Sequence, residues 1–289
     1  MEPDPALAAV KTYDYLRIAL AALVLLLYTS VVLEWWAAGR CLQPSISAYY
    51  YTPVHAVFIG VLVTMGVCLI ALKGNTDGED VLMNLAGMLA PGVAFIPTLA
   101  VPGCGSTELL APDVPAFVTN NMPALFVTAA VVGVAAVVIT LRQGGFAGLS
   151  TVERIGAALT VVVLGGGVVW FVVARDSFIA HGHDAAAIPM FLAIVGVVWL
   201  NARDVQAAVR QGSAPSTHSR YVAIYRMIAG AMLVALVATV AINLATASTT
   251  LVFWVEVVLI TLFAVFWLVQ TTELWRHGLR RTDPPAGAP

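Results

Sequence analysis

Long apolar stretches recur along the chain and are separated by short polar segments. A helix needs roughly 20 apolar residues to cross the hydrocarbon core of a bilayer. Eight stretches meet this requirement, at about 14–36, 54–73, 80–101, 122–141, 154–175, 179–201, 220–244 and 249–272. The pattern therefore predicts an all-α polytopic transmembrane helix bundle of about eight spans, with residues 1–275 forming a single transmembrane domain.

Composition supports a membrane protein. Hydrophobic residues make up 60% of the 289 residues and charged residues only 10%, and the mean hydropathy is +0.91. Soluble domains are about a quarter charged, so membrane lipids are the expected surroundings and partners. The net charge is −2, and the 14 basic residues form no dense run. Nucleic acid is therefore not an expected partner.

The positions of Lys and Arg predict the orientation, because cytoplasmic loops carry an excess of basic residues. With the N-terminus inside, only Arg40 and Arg175 fall on the outer side. The other basic residues fall on the inner side: Lys11, Arg17, Lys73, Arg142, Arg154, Arg203, Arg210, Arg220, Arg226, Arg276, Arg280 and Arg281. We expect a multi-pass protein of the cell membrane with both termini cytoplasmic. Residues 276–289 are expected to form a disordered tail.

Two of the three cysteines fall in outer loops. Cys41 and Cys104 follow the first and third spans on the same predicted side. An oxidising exterior would allow them to pair, and we predict a Cys41–Cys104 disulfide. The alternative is two unrelated thiols. Cys68 lies within the second span, where a small buried apolar side chain is expected.

Titratable residues collect at the predicted outer level. Glu256 lies about two turns into the eighth span, His55 opens the second, and His183 and Asp184 open the sixth. A carboxylate in hydrocarbon must be neutralised, paired or solvated, and His55, His183 or Arg175 are its candidate partners. We expect an outward-facing pocket with these ligand-binding candidates: Ser47, Tyr49, His55, His183, Asp184 and Glu256. The alternative is separate interfacial groups, with the tyrosines in an aromatic belt.

Metal binding and nucleophilic catalysis are weaker alternatives for the same residues. Histidine and carboxylate are adequate zinc ligands, but His181 and His183 are two residues apart and point to opposite faces of a regular helix. Ser45 and Ser47 lie near His55 in the sequence, without a G-x-S-x-G motif. We therefore assign no metal site and no catalytic residue. The Gly165–Gly167 run is expected to be a point of close helix packing.

Three segments carry a resemblance to a known family. They are Pro44-Ser-Ile-Ser-Ala-Tyr-Tyr-Tyr-Thr-Pro-Val-His-Ala-Val-Phe-Ile-Gly60, then His183-Asp-Ala-Ala-Ala-Ile-Pro-Met-Phe191, then Glu256 followed by Trp267 and Glu273. Together they resemble the damage-regulated autophagy modulator and FGF-receptor-activating-protein family. Related bacterial multi-pass proteins share such features, which implies a bacterial inner membrane as the location.

The resemblance implies a helical membrane bundle with a role in lipid handling or GPI-anchor remodelling. It also implies a distant kinship with ceramidase-like membrane hydrolases, whose site combines Ser, Asp and His around zinc. Ser47, His183 and Glu256 match the recurring polar positions. The family has about six spans, however, and the hydrolases carry a paired-histidine motif in the last span, where this chain has Glu256.

Two functional hypotheses follow, and a scaffold without small-molecule chemistry is a third. In the first, the outer pocket binds or processes a lipid or another amphiphile. In the second, Glu256 and the histidines form the titrating relay of a small-solute or proton-coupled transporter. Transporters place their sites near the midplane on broken helices. Polar groups aligned through to Asn84 and the inner face would favour transport.

Overall fold

The computed structural model describes residues 5–98, 113–142, 145–245, 250–275 and 279–280. These residues form eight α-helices and no strand, which confirms the predicted all-α bundle. The helices are α1 Pro5–Ala37, α2 His55–Ala71, α3 Asp77–Phe95, α4 Val114–Arg142, α5 Thr151–Val173, α6 Arg175–Arg210, α7 Ser219–Ala245 and α8 Thr250–Leu274. A 3₁₀ helix, Ser47–Tyr51, precedes α2, and we call it the outer turn.

The helices have the length and composition of an integral membrane protein. Six of the described helices, all except α2 and α3, are long and apolar enough to cross a bilayer. Helix α2 is apolar but has only 17 residues, and α3 carries three acidic residues in its first turn. The predicted orientation remains a prediction. Following it, we call the end of the bundle with the outer turn the outer end, and the opposite end the inner end.

Six helices pack in a closed ring. Helix α1 packs on α2, α2 on α3, α3 on α6, α6 on α7, α7 on α8, and α8 again on α1. Their buried side chains form one continuous apolar core. The ring surrounds a central space, and that space contains the candidate site.

Helices α4 and α5 lie outside this ring, mainly against α3. The buried side chains of α4 are confined to its first turns, and Phe171 is the buried side chain of α5 among the described residues. The remaining surface of both helices is apolar and exposed, as expected where lipid tails are the solvent.

Some helix boundaries differ from those the sequence predicts. Helix α3 ends at Phe95 rather than near residue 101. A single residue, Ala174, separates α5 from α6. Helix α6 begins at Arg175 and therefore contains His181 and His183. At the start of α5, Ser150 and Glu153 form a reciprocal capping box.

The close approach between helices is at Gly66 and Gly87, not at Gly165–Gly167. A Cβ on Gly66 would lie 2.6 Å from the carbonyl oxygen of Gly87, and a Cβ on Gly87 would lie 2.6 Å from that of Gly66. Only glycine permits this backbone contact between α2 and α3. Gly165 and Gly166 face open space, so the expectation of close packing there was wrong.

Candidate functional site

The ring encloses a cavity of about 220 Å³. All six ring helices and the outer turn contribute to its wall. The apolar lining includes Leu27, Phe58, Val61, Met65, Leu69, Ala90, Val93, Ala187, Phe191, Ile194, Leu236, Leu259 and Phe263. Such a lining is typical of sites for apolar ligands.

The cavity extends from the outer end to about half the depth of the bundle. Its lining on α6 runs from His183 to Ile194, eleven residues and about 16 Å at the α-helical rise. The hydrocarbon core of a bilayer is about 30 Å thick. The cavity is therefore about as deep as one leaflet.

The mouth of the cavity lies between the outer parts of α6 and α7. Asp184 on α6 and Leu244 on α7 line the cavity and are exposed. The buried face of α7 extends from Tyr221 to Leu236, and none of its described side chains beyond Leu236 is buried. The cavity is therefore open at the level of the outer leaflet.

Four of the six sequence-predicted candidates line the cavity, and all four lie at its outer end: Ser47, His183, Asp184 and Glu256. Among the described lining residues, Thr239 is the other polar side chain. The arrangement is an apolar pocket with its charge at one end.

Glu256 is held by a main-chain group. Its Oε2 accepts a hydrogen bond of 2.6 Å from the N–H of Ile46. The nearby N–H of Phe253 donates to the carbonyl of Pro44 at 3.1 Å. Helix α8 therefore fixes the start of the outer turn. The three expected partners of Glu256 contact other groups. His55 contacts the carbonyl of Tyr50, His183 contacts Ile96 and Ser47, and Arg175 lies over the ring of Phe171.

His183 connects α6 to the outer turn and to the end of α3. Its Nδ1 lies 2.8 Å from the carbonyl oxygen of Ile96, and its Nε2 lies 3.0 Å from the Ser47 hydroxyl. The side chain is buried, with 6% of its surface exposed. A carbonyl can only accept, so Nδ1 carries a proton and donates it to Ile96. The neutral ring then accepts at Nε2 from the Ser47 hydroxyl.

Tyr49 and His55 do not line the cavity. Tyr49 is buried against Phe253. His55 Nδ1 lies 2.7 Å from the carbonyl oxygen of Tyr50, and its ring packs on that of Tyr50. Burial raises the pKa of Tyr50 and Tyr51 to about 12, so both phenols are neutral at physiological pH. These residues support the outer turn on the side that faces away from the cavity.

Among the described residues, no group of three or more His, Cys, Asp or Glu side chains could hold a metal ion. His181 is exposed, with Nδ1 3.1 Å from the carbonyl of Ser177 in its own helix. It points away from His183, as the two-residue spacing predicted. Cys104 lies outside the described residues, so the Cys41–Cys104 pairing stays a prediction. Cys68 is a buried free thiol in α2.

Comparison with known proteins adds no assignment. No family model, curated protein or solved structure matches the chain. The argument about function therefore rests on the residues of the ring itself.

A second polar cluster, which the sequence reasoning missed, closes the inner end of the ring. Arg280 donates to both oxygens of Glu273, at 2.9 and 2.7 Å, and to Asn201 at 3.0 Å. Gln270 donates to Asn201 at 2.7 Å and accepts from Arg17 at 3.1 Å. We call the following residues the inner cluster: Arg17, Asn201, Tyr225, Gln270, Glu273 and Arg280.

A sequence signal for the inner cluster did exist. Asn201 and Gln270 are uncharged polar residues near the inner ends of two apolar stretches, and neither lies in a predicted loop. Polar side chains at membrane depth usually bond across helices. Arg280 was assigned to a disordered tail, but its side chain is bound here. The rest of that tail, 276–278 and 281–289, lies outside the described residues.

Proposed function

We propose that the protein binds an amphiphile from the outer leaflet, with the apolar chain in the ring cavity and the head group at its outer end. The observation that carries this proposal is the distribution of polarity in the cavity. Ser47, His183, Asp184 and Glu256 lie together at the outer end, and the deeper wall is apolar. This division matches a molecule with one polar and one apolar end.

The mouth between α6 and α7 supports the same proposal. It lies at the outer parts of both helices, where Leu244 lines the cavity and is exposed. An amphiphile can enter there by lateral diffusion, without its chain crossing water. The depth of about one leaflet suits an acyl or alkyl chain that keeps its head group at the interface.

The charges at the outer end favour certain head groups. Asp184 and Glu256 are acidic, and the described lining residues include no Lys or Arg. An anionic head group would meet like charge without a cationic partner, which is unfavourable at low dielectric. The proposed ligand therefore carries a neutral or cationic head group, such as a hydroxyl or an amine.

Transport across the membrane has less support. The inner cluster joins α1, α6, α7 and α8 where a transporter would need an inner exit. Asn84 does not line the cavity and instead faces a separate inner pocket between α3 and α5. The resembled family has about six spans, and the ring has six helices. The two helices outside the ring, α4 and α5, are therefore compatible with the lipid-handling role that the resemblance implies.

The test is binding of single-chain amphiphiles of equal chain length to detergent-purified protein, measured by native mass spectrometry. The probes are a monoacylglycerol, an alkyltrimethylammonium and an alkyl phosphate. Ala187→Phe places a ring in the cavity, whereas the control Ala185→Phe changes an exposed position of the same helix that does not line it. Ala187→Phe is expected to reduce binding at least tenfold, and the control is expected to behave as wild type.

Three results would contradict the proposal. Equal binding to the wild type and to Ala187→Phe would show that the amphiphile does not occupy the ring cavity. Preferential binding of the alkyl phosphate would contradict the head-group assignment. Wild-type protein without any bound amphiphile would remove the proposal altogether.

A further inference from the structure

The hydrogen bond between Ser47 and His183 has the direction needed to activate a serine. Because the Ile96 carbonyl holds the proton of His183 on Nδ1, Nε2 is a free base that faces the Ser47 hydroxyl at 3.0 Å. This is the nucleophile–base contact of serine acyl transfer. In such enzymes a third group orients the base, and here the carbonyl of Ile96 does so.

We propose that Ser47 is a nucleophile toward the carboxylic ester of an acylated amphiphile, with His183 as its general base. The proposal rests on the proposed function, because the cavity must first hold the acyl chain. Ser47 and His183 both line the outer end of that cavity. An ester carbonyl at the junction of chain and head group would lie at the level of the Ser47 hydroxyl.

The reaction has two steps that balance. In the first, Ser47 Oγ attacks the ester carbonyl carbon while His183 Nε2 takes the hydroxyl proton. The bond from the acyl carbon to the alcohol oxygen then breaks, and His183 returns the proton to the departing alcohol, which leaves an acyl-Ser47 ester. In the second step, water attacks this ester with His183 again as base, and the fatty acid and free Ser47 are released.

The surroundings distinguish Ser47 from other hydroxyls of the outer loop. Ser45 Oγ accepts from the N–H of Ala48 at 3.0 Å and caps the outer turn. The Glu256 carboxylate on α8 fixes the main chain at Ile46, the residue before Ser47. The negative charge of Asp184 acts on His183 and stabilises the imidazolium that forms during attack. The pair, which joins α6 to the outer turn, is therefore positioned by contacts from the end of α3 and from α8.

The experiment uses a long-chain alkyl fluorophosphonate, which reacts covalently with activated serines, on the full-length protein in detergent. Peptide mass spectrometry is expected to find one adduct, on Ser47. Ser47→Ala is expected to abolish it while still binding a monoacylglycerol. His183→Gln keeps a polar side chain but removes the base, and should slow labelling by about 100-fold or more. His55→Gln, which changes a histidine outside the cavity, should label at the wild-type rate.

The outcomes separate this inference from the proposed function. Monoacylglycerol binding without labelling of Ser47, or equal labelling rates for wild type and His183→Gln, would overturn the nucleophile and leave amphiphile binding intact. Failure of wild type to bind monoacylglycerol would overturn the proposed function. Thermal unfolding of each variant identifies misfolding, and the rise of the wild-type labelling rate with pH tests the base without any substitution.

Discussion

At the residue scale, the outer end of the cavity is built from side chains that bond to the main chain of other elements. Glu256 on α8 accepts from the N–H group of Ile46, and His183 on α6 donates to the carbonyl of Ile96. A buried polar group without a partner costs free energy. These contacts therefore stabilise the fold and at the same time leave one face of each group toward the cavity.

Replacement of Glu256 tests how far this contact supports the outer turn. Glu256→Ala leaves the main-chain N–H of Ile46 without its acceptor, and Ile46 is only 2% exposed. The free energy of unfolding should fall by about 1–3 kcal/mol. Glu256→Gln keeps a carbonyl oxygen as acceptor and should lose less. Thermal unfolding in detergent, followed by tryptophan fluorescence, measures both, and an Ala variant as stable as wild type would contradict the anchor role.

The residue types of this site could be predicted from the sequence, but their partners could not. Ser47, His183, Asp184 and Glu256 stood out because polar groups at membrane depth are costly. The choice of His183 over His55 as neighbour of Ser47 depends on how the outer turn folds over the ring. Main-chain partners such as the Ile96 carbonyl carry no side-chain signal in the sequence.

At the scale of elements, the contact between α2 and α3 is set by two glycines. Apolar side chains gain little from burial against other helices when lipid surrounds them, so close backbone packing contributes more to association. Gly66 and Gly87 permit that packing. The position of α2 matters for function because Phe58, Val61 and Met65 form one wall of the cavity.

Gly87→Ala is expected to destabilise the protein and to widen the cavity on this side. The new Cβ would approach the Gly66 carbonyl oxygen at 2.6 Å and the Ile70 side chain at 2.7 Å. Overpacking of this kind costs about 1–3 kcal/mol. Gly165→Ala is the matched control, because nothing lies within 4 Å of its Cβ, and it should be neutral or slightly stabilising. Thermal unfolding compares the two, and equal effects would contradict the packing argument.

Helix number and type were predictable because long apolar stretches have few alternative structures. The glycine assignment failed for a reason that is also physical. A Gly-Gly-Gly run in a span indicates that close packing is possible, but it does not say which neighbour is present. Helix α5 has few neighbours at this level, so Gly165 and Gly166 face open space and a Cβ on Gly167 would meet only the Phe126 ring, at 3.4 Å.

At the scale of the whole molecule, the two ends of the ring differ. The outer end has a mouth and a cavity, and the inner end is closed by hydrogen bonds between helices. On α8 the two polar sites, Glu256 and Gln270, are fourteen residues apart, about 21 Å at the α-helical rise. The wall between them is apolar. The ring is therefore open at its outer end and closed at its inner end. This arrangement suits capture of an amphiphile better than passage through the membrane.

The order of helices around the ring could not be predicted from hydropathy. Helices α3 and α6, which are separated in the chain by α4 and α5, become neighbours because those two helices lie outside the ring. Both of these helices are as apolar as the ring helices, so the average hydropathy does not separate them. Helices α4 and α5 differ from the ring helices in that their described parts contribute no residue to the cavity or to the inner cluster.

Arg280 is the residue through which the closed inner end can be tested. It lies after α8 and donates to Glu273 and Asn201, and its main-chain N–H donates to Asn75 at 2.8 Å. Removing one partner of a buried ion pair leaves the other charge uncompensated, at a cost of about 3–5 kcal/mol. Arg280→Ala should therefore lower the free energy of unfolding by an amount of this order.

The control for Arg280→Ala is Arg210→Ala, because Arg210 is an exposed arginine at the end of α6, where a change of about 0.5 kcal/mol or less is expected. Arg280→Lys should be intermediate, since one ammonium cannot reproduce the two parallel bonds to the carboxylate. Thermal unfolding in detergent ranks the three variants. If Arg280→Ala were as stable as Arg210→Ala, the segment after α8 would not close the ring, and an inner exit for a transported solute would again be compatible with the fold. If the predicted order holds while the variants still bind monoacylglycerol, the inner cluster supports the ring and the outer cavity works independently of it.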